Sequence, residues 1–208
     1  MSQAFIISGT DTGIGKTAVA AMLTLALQAT YWKPIQSGTE DGTDTLTVKA
    51  LTGLADTYFL PEAYVLTQPL SPHRAAELDQ VTIDIAQLAR PVTGTPLIIE
   101  GAGGLMVPVT RQRLQIDLFA TWDAPVILCA RTGLGTINHT LLSIEALRSR
   151  KIPLHGLIFI GADNPDNIRT IAEMSSTKVL GHMPHLPIVD RTSLTDVFAG
   201  HFQREDFQ

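Results

Sequence analysis

Residues 9–17 read Gly-Thr-Asp-Thr-Gly-Ile-Gly-Lys-Thr, a run suited to holding anionic oxygen. Its glycines let the backbone fold so that successive N–H groups point inward, and a helix opening at Lys16 adds partial positive charge at its N-terminus. The Lys16 ammonium then reaches the β- and γ-phosphates of a nucleotide, and the Thr17 hydroxyl is offered to Mg²⁺. Five residues separate Gly9 from Gly15, one more than the usual phosphate loop has. A dinucleotide-binding turn is the rival reading. Gly13-x-Gly15 is followed by Lys16-Thr17 instead of a third glycine, however, and the second strand ends in Lys33 where that rival needs an acid.

Two carboxylates and a second lysine complete the set. Mg²⁺ on a nucleotide takes one or two protein carboxylates, the remaining ligands being phosphate and water. Glu100 closes the run Leu97-Ile98-Ile99 and precedes Gly101-Ala102-Gly103-Gly104, so it emerges at the C-terminal edge of a sheet, where ligands bind. Asp44 opens a helix, where metal binding competes with an ordinary N-cap role. Lys33 leaves the sheet beside the phosphate loop in Trp32-Lys33-Pro34-Ile35-Gln36-Ser37-Gly38, with Pro34 expected to stop strand pairing. A lysine there is either an anion-facing charge or a surface residue, and Ser37 either touches substrate or is a plain loop serine.

These residues need a sheet to carry them. Short apolar runs lie at Ala4 to Ser8, Thr30 to Lys33, Leu97 to Glu100, Val126 to Ala130, Leu157 to Ile160 and Val179 to Met183. Most lack polar alternation, as strands covered on both faces do. Helical patterns fall between them at Lys16 to Ala29, Asp44 to Leu51, Gln115 to Trp122, Thr136 to Arg150 and Asn167 to Met174, with a weaker one near Ser193 to Phe198. The expectation is an α/β chain with a parallel sheet and helices on both faces, a P-loop NTPase-like fold in one domain over residues 1–208. Residues 53–96, with five prolines, read as an irregular insertion holding two short helices, at His73 to Leu78 and Ile83 to Leu88.

Composition narrows the partners. A formal charge of −5 gives no basic footprint for nucleic acid, so small anions need local positive sites. No apolar run approaches membrane-spanning length, and the first residues lack the charged flank of a signal peptide, so a cytoplasmic protein is expected. The single cysteine, Cys129, excludes an intramolecular disulfide and reads as a buried thiol. The six histidines show no metal-binding spacing, and Trp32 and Trp122 read as packing residues, Trp32 with a second possible place in the site wall.

Together, residues 9–17, Trp32 to Gly38, Ser71-Pro72-His73, Glu100 to Pro108 and Leu134-Gly135-Thr136-Ile137-Asn138-His139 resemble the dethiobiotin synthase family. The resemblance covers nearly the whole chain. It implies a homodimer with its site at the subunit interface, taking 7,8-diaminononanoate, CO₂ and ATP, with Mg²⁺, to dethiobiotin through a carbamate and a carbamic-phosphoric anhydride. It implies that Lys16 and Lys33 neutralise carbamate and γ-phosphate, that Thr12 and Ser37 touch the diamine or carbamate, and that Thr17, Asp44 and Glu100 hold Mg²⁺. ATP would lie against Gly13, Ile14, Gly15, Lys16, Thr17 and Ala18, against Glu100, Gly101, Ala102 and Gly103, and near Pro184. Gly135, Thr136 and Asn138, at a helix N-terminus, would grip the substrate carboxylate from the other subunit, a capping role being the alternative for the last two. His73 would lie near the diamine. One position departs from the family: Ile160-Gly161 stands where an asparagine reads adenine, which points to a broader nucleotide preference, with backbone groups near Met183-Pro184-His185 as the expected base contacts. The alternatives are a partition-type switch ATPase and a cobyrinate-type amide synthetase; the tail shows no membrane helix for the first, and no catalytic cysteine besides Cys129 serves the second.

Overall fold

A computed structural model describes residues 3–208, so Met1 and Ser2, read above for a leader, lie outside the described residues. Along the chain run β1 (Ala4–Gly9), α1 (Lys16–Leu27), β2 (Thr30–Trp32), β3 (Ile35–Ser37), α2 (Asp44–Thr52), β4 (Phe59–Leu60), β5 (Tyr64–Leu66) and α3 (Pro72–Leu78). There follow β6 (Leu97–Gly104), α4 (Gln115–Phe119), β7 (Val126–Arg131), α5 (Thr136–Ser149), β8 (Leu154–Ile160), α6 (Pro165–Ser175), β9 (Val179–Met183) and α7 (Arg191–His201). Seven strands form one sheet in the order β4-β2-β6-β1-β7-β8-β9, and every pairing is parallel.

Successive strand residues point to opposite faces, which explains why the strands read as unbroken apolar runs. Ile6, Ile99 and Val126 face one side, under Phe119 of α4, Trp122 and Leu147 of α5. Phe5, Ile7, Ile98 and Ile127 face the other, under Val19, Met22 and Leu23 of α1 and Leu194 and Val197 of α7. Because α1 is also packed against α2 and α7, it is apolar nearly all round.

Several expectations are corrected. β6 runs on past Glu100 to Gly104, so that acid lies within its strand and does not close it. Pro34 interrupts pairing without ending it: the chain re-enters at β3, which pairs with β5 as a separate two-stranded sheet. The proline-rich insertion therefore holds strands, one of which, β4, extends the main sheet beside β2. α4 stops at Phe119 instead of Trp122, as Thr121 and Trp122 turn back with their N–H groups on Leu118 and Phe119 carbonyls. Trp32 packs on Trp122 with ring centroids 5.8 Å apart and donates to the Pro61 carbonyl at 3.2 Å, which makes it a core residue outside the site wall.

Cys129 is buried in β7, and burial pushes its thiol up to about 12. The thiol is then protonated at neutral pH, and only the thiolate alkylates. Native protein is expected to resist iodoacetamide at pH 8, gaining a single label when unfolded; intact-mass spectra along a denaturant series check this.

Candidate active site

The loop between β1 and α1 leaves the centre of the sheet, tied to β7 by Thr10 N–H on the Cys129 carbonyl at 3.0 Å. Gly13 and Gly15 take positive φ of 64° and 101°, a region that suits glycine. At Gly15 a side chain would also meet Ile160 at the end of β8, 3.3 Å from its Cγ2. Lys16 curls back to donate to the Asp11 carbonyl at 3.1 Å, and Arg131, at the end of β7, donates to the Thr12 carbonyl at 3.2 Å. No carboxylate lies within ion-pair distance of Lys16 among the described residues. Burial, followed by the charge of Lys33, holds its ammonium below the ordinary lysine value.

Lys33 has the opposite surroundings. Its Nζ lies 2.6 Å from Oδ2 of Asp44 and 3.0 Å from Oε1 of Glu100, and donates to the Gly101 carbonyl at 3.3 Å. Burial works to lower this ammonium, but the Glu100 and Asp44 carboxylates outweigh it and hold it above the usual range. Thr17 Oγ1 donates toward Oε1 of Glu100 at 3.0 Å and Oδ1 of Asp44 at 3.2 Å. One hydroxyl, two carboxylates and an ammonium thus form a single cluster, with Lys33 and Glu100 buried and Thr17 and Asp44 half-buried, tolerable because each charge is paired.

The cap alternative for Asp44 fails on geometry. Thr43 is the N-cap of α2, its hydroxyl accepting from Leu46 N–H, while the Asp44 side chain faces Lys33 and Thr17. Gln36 fixes that start of α2: its Oε1 accepts from Asp44 N–H at 3.0 Å and its Nε2 donates to the Gly38 carbonyl at 2.9 Å. From the strand below, Tyr31 donates its hydroxyl to Oε2 of Glu100 at 2.9 Å. Burial, reinforced by the Glu100 charge, keeps that hydroxyl protonated well above the usual tyrosine value.

A cavity of about 710 Å³ opens over the cluster. Thr12, Gly13, Gly15, Lys16, Thr17, Lys33, Ser37, Asp44, Glu100, Ala102 and Gly103 all line it. Ser37 Oγ is buried there without a hydrogen-bond partner among the described residues. The other candidates lie elsewhere. Ile14 and Ala18 turn their side chains into the α1 face of the core, and Gly101 offers only its carbonyl, Phe119 filling the space beside its Cα. Pro184 follows β9, half-buried and outside the cavity. Gly135 is the N-cap of α5, Thr136 donates its hydroxyl to the Arg131 carbonyl, and Asn138 is exposed on the first turn. His73 accompanies Ser71 at 3.0 Å but lines a neighbouring groove.

Sequence reasoning gave no role to Tyr31, Gln36 or Arg131. Tyr31 looks like a core aromatic in an apolar strand, and its one signal is that it shares a sheet face with Glu100. Among the described residues no group of three His, Cys, Asp or Glu side chains forms a metal cage, and no helix is long and apolar enough to cross a membrane.

A parallel sheet whose central first strand feeds a glycine-lysine-threonine loop into a helix, with an acid in the neighbouring strand, defines a P-loop ATPase. Solved structures share that fold. The septum site-determining protein MinD from Pyrococcus horikoshii OT3, complexed with Mg-ADP, superposes with a TM-score of 0.58 at 14% identity over 94% of this chain and 86% of that one. A ParA family ATPase from Chlorobium tepidum TLS gives 0.52 at 12% identity over 94% and 96%. Identities this low speak for the fold alone. The AAA domain family matches residues 3–193. Within that class the chain belongs to the ATP-dependent dethiobiotin synthetases, a family of ATP-dependent ligases. The ATP-dependent dethiobiotin synthetase BioD of Rhodopseudomonas palustris (strain TIE-1) is 56% identical over 100% of this chain and 98% of the relative. That of Agrobacterium fabrum (strain C58 / ATCC 33970) is 55% identical over the same shares.

Proposed function

We propose that the chain converts 7,8-diaminononanoate, CO₂ and ATP into dethiobiotin, ADP and phosphate. One amine adds to CO₂ and loses a proton, giving a carbamate. A carbamate oxygen takes the γ-phosphoryl group, ADP leaves, and the second amine attacks the anhydride carbon, closing the ureido ring as phosphate departs. Such steps ask for positioning and charge neutralisation, with no covalent nucleophile. What carries the reading is the convergence of Lys33, Asp44, Glu100 and Thr17 in one cluster beneath the cavity that Lys16 and Ser37 also line.

Lys16, buried without a carboxylate partner, is the charge best suited to the phosphate chain, and Lys33 to the carbamate at the same edge. Ser37 Oγ and Thr12 would hydrogen-bond the carbamate or the amines. Thr17, Asp44 and Glu100 present hard oxygen donors a few ångströms apart, the chemistry Mg²⁺ takes, and would hold it. When bound, Mg²⁺ neutralises phosphate charge and orients the transferring group. The substrate carboxylate would meet the N-terminus of α5, at Gly135, Thr136 and Asn138, on a second copy of the chain. Exposed Leu134, Met106 and Leu142 support a homodimer with the site at its interface. We place the reaction in the cytoplasm, where ATP is available.

Incubating the protein with diaminononanoate, bicarbonate, ATP and Mg²⁺ is expected to yield dethiobiotin and ADP in equal amounts, read by mass spectrometry. ATP hydrolysis that responds only to DNA or membranes would sink the reading in favour of a switch ATPase. Since Ile160 is aliphatic and packs toward Gly15, CTP and GTP are expected to support turnover too; a strict adenine requirement would contradict this.

A further inference from the structure

We propose that Tyr31 is a positioning residue of this active site, whose hydroxyl fixes the carboxylate of Glu100 so that one chosen oxygen faces Thr17 and Lys33. The inference rests on the reading of Glu100 as a ligand of the metal-nucleotide site.

β2 and β6 are parallel neighbours, with Tyr31 opposite Ile98. Glu100 lies two residues beyond Ile98 and so on the same face, where the start of α1 brings Thr17. The Tyr31 ring is fully buried with Phe59 beside it at 6.4 Å, work that phenylalanine does as well. Its hydroxyl serves something else. A buried phenol is costly without a partner, and its partner is the ligand carboxylate itself, at 2.9 Å. The two oxygens of Glu100 are divided cleanly. Oε2 accepts from Tyr31, while Oε1 accepts from Thr17 at 3.0 Å and Lys33 at 3.0 Å. Without the phenol, Oε2 is buried and unsatisfied, and the carboxylate is free to rotate toward Lys33 with either oxygen. Groups that orient a metal ligand from behind change metal affinity by roughly 10- to 100-fold when removed.

Tyr31→Phe keeps the ring and removes only the hydroxyl. Binding of Mn²⁺ with a non-hydrolysable ATP analogue, followed by electron paramagnetic resonance, is expected to weaken about tenfold. Binding of the analogue in EDTA should stay within about twofold of wild type, and the Mg²⁺ concentration for half-maximal turnover should rise with little change in kcat at saturating metal. Unchanged Mn²⁺ binding would overturn the proposal. So would equal weakening with and without metal, since that marks a packing defect. Glu100→Gln separates the two layers of inference. If it weakens Mn²⁺ binding while Tyr31→Phe does not, the positioning role alone fails; if neither does, the assignment of Glu100 as a ligand fails with it.

Discussion

Lys33→Ala is expected to lower the rate of dethiobiotin formation by about a thousandfold, on the scale seen when a preorganised charge is removed from a developing anion. The variant should still bind ATP, because the phosphate loop contributes its own backbone and Lys16. It should also be less stable. Asp44 and Glu100 both lie within 3.0 Å of the Lys33 ammonium, so removing it leaves two neighbouring carboxylates with no ammonium in contact. Stranding one member of a buried ion pair costs about 3–5 kcal/mol. Differential scanning calorimetry of the ligand-free protein reads that loss. Turnover within tenfold of wild type would remove Lys33 from the chemistry.

Lys16→Ala should abolish turnover as well, with at least a hundredfold loss in ATP affinity measured by titration calorimetry. Its effect on the ligand-free protein has the other sign. Lys16 is buried with one backbone carbonyl as partner and the charge of Lys33 nearby, so its charged form is strained in the fold. Removing it is expected to leave the melting temperature unchanged or higher. Alkaline titration separates the two lysines in the same way. Since Lys16 has a folded pKa below its unfolded one, the unfolded chain binds more protons between those values, and stability rises with pH there. Lys33, with a raised folded pKa, gives stability that is present below the unfolded value and lost as pH climbs through the folded one.

Much of this was legible in the sequence because charge is costly to bury. Glu100 following the apolar run of one strand and Lys33 at the end of another are hard to explain as packing, and both sit in the cluster. The alternation of apolar runs and helical periods likewise conveys the sheet. What stayed hidden depends on registers that no short window contains. Tyr31 meets Glu100 only because β2 pairs with β6, and Gln36 meets Asp44 only because the turn after β3 folds back. The pairing of β3 with β5 across Pro34 was missed for the same reason, as proline interrupts one ladder without forbidding the next residues another. Asp44 was ambiguous because an acid at a helix start suits a cap and a metal alike, and Thr43 taking the cap removes only the first of these roles.

The placement of β1 has a consequence for synthesis. It precedes the other strands of the sheet in chain order, yet it lies in the middle of the sheet, where Ala4 pairs with Leu97 and Ile6 with Val126. A nascent chain must therefore carry a largely apolar strand with neither of its neighbours until β6, at Leu97–Gly104, has been made. Distant pairings of this kind slow folding and leave edges open to wrong partners. Acquisition of the nucleotide cradle is thus a late event, and stalled or truncated chains ending before β7 will be sticky substrates for chaperones instead of half-active enzymes.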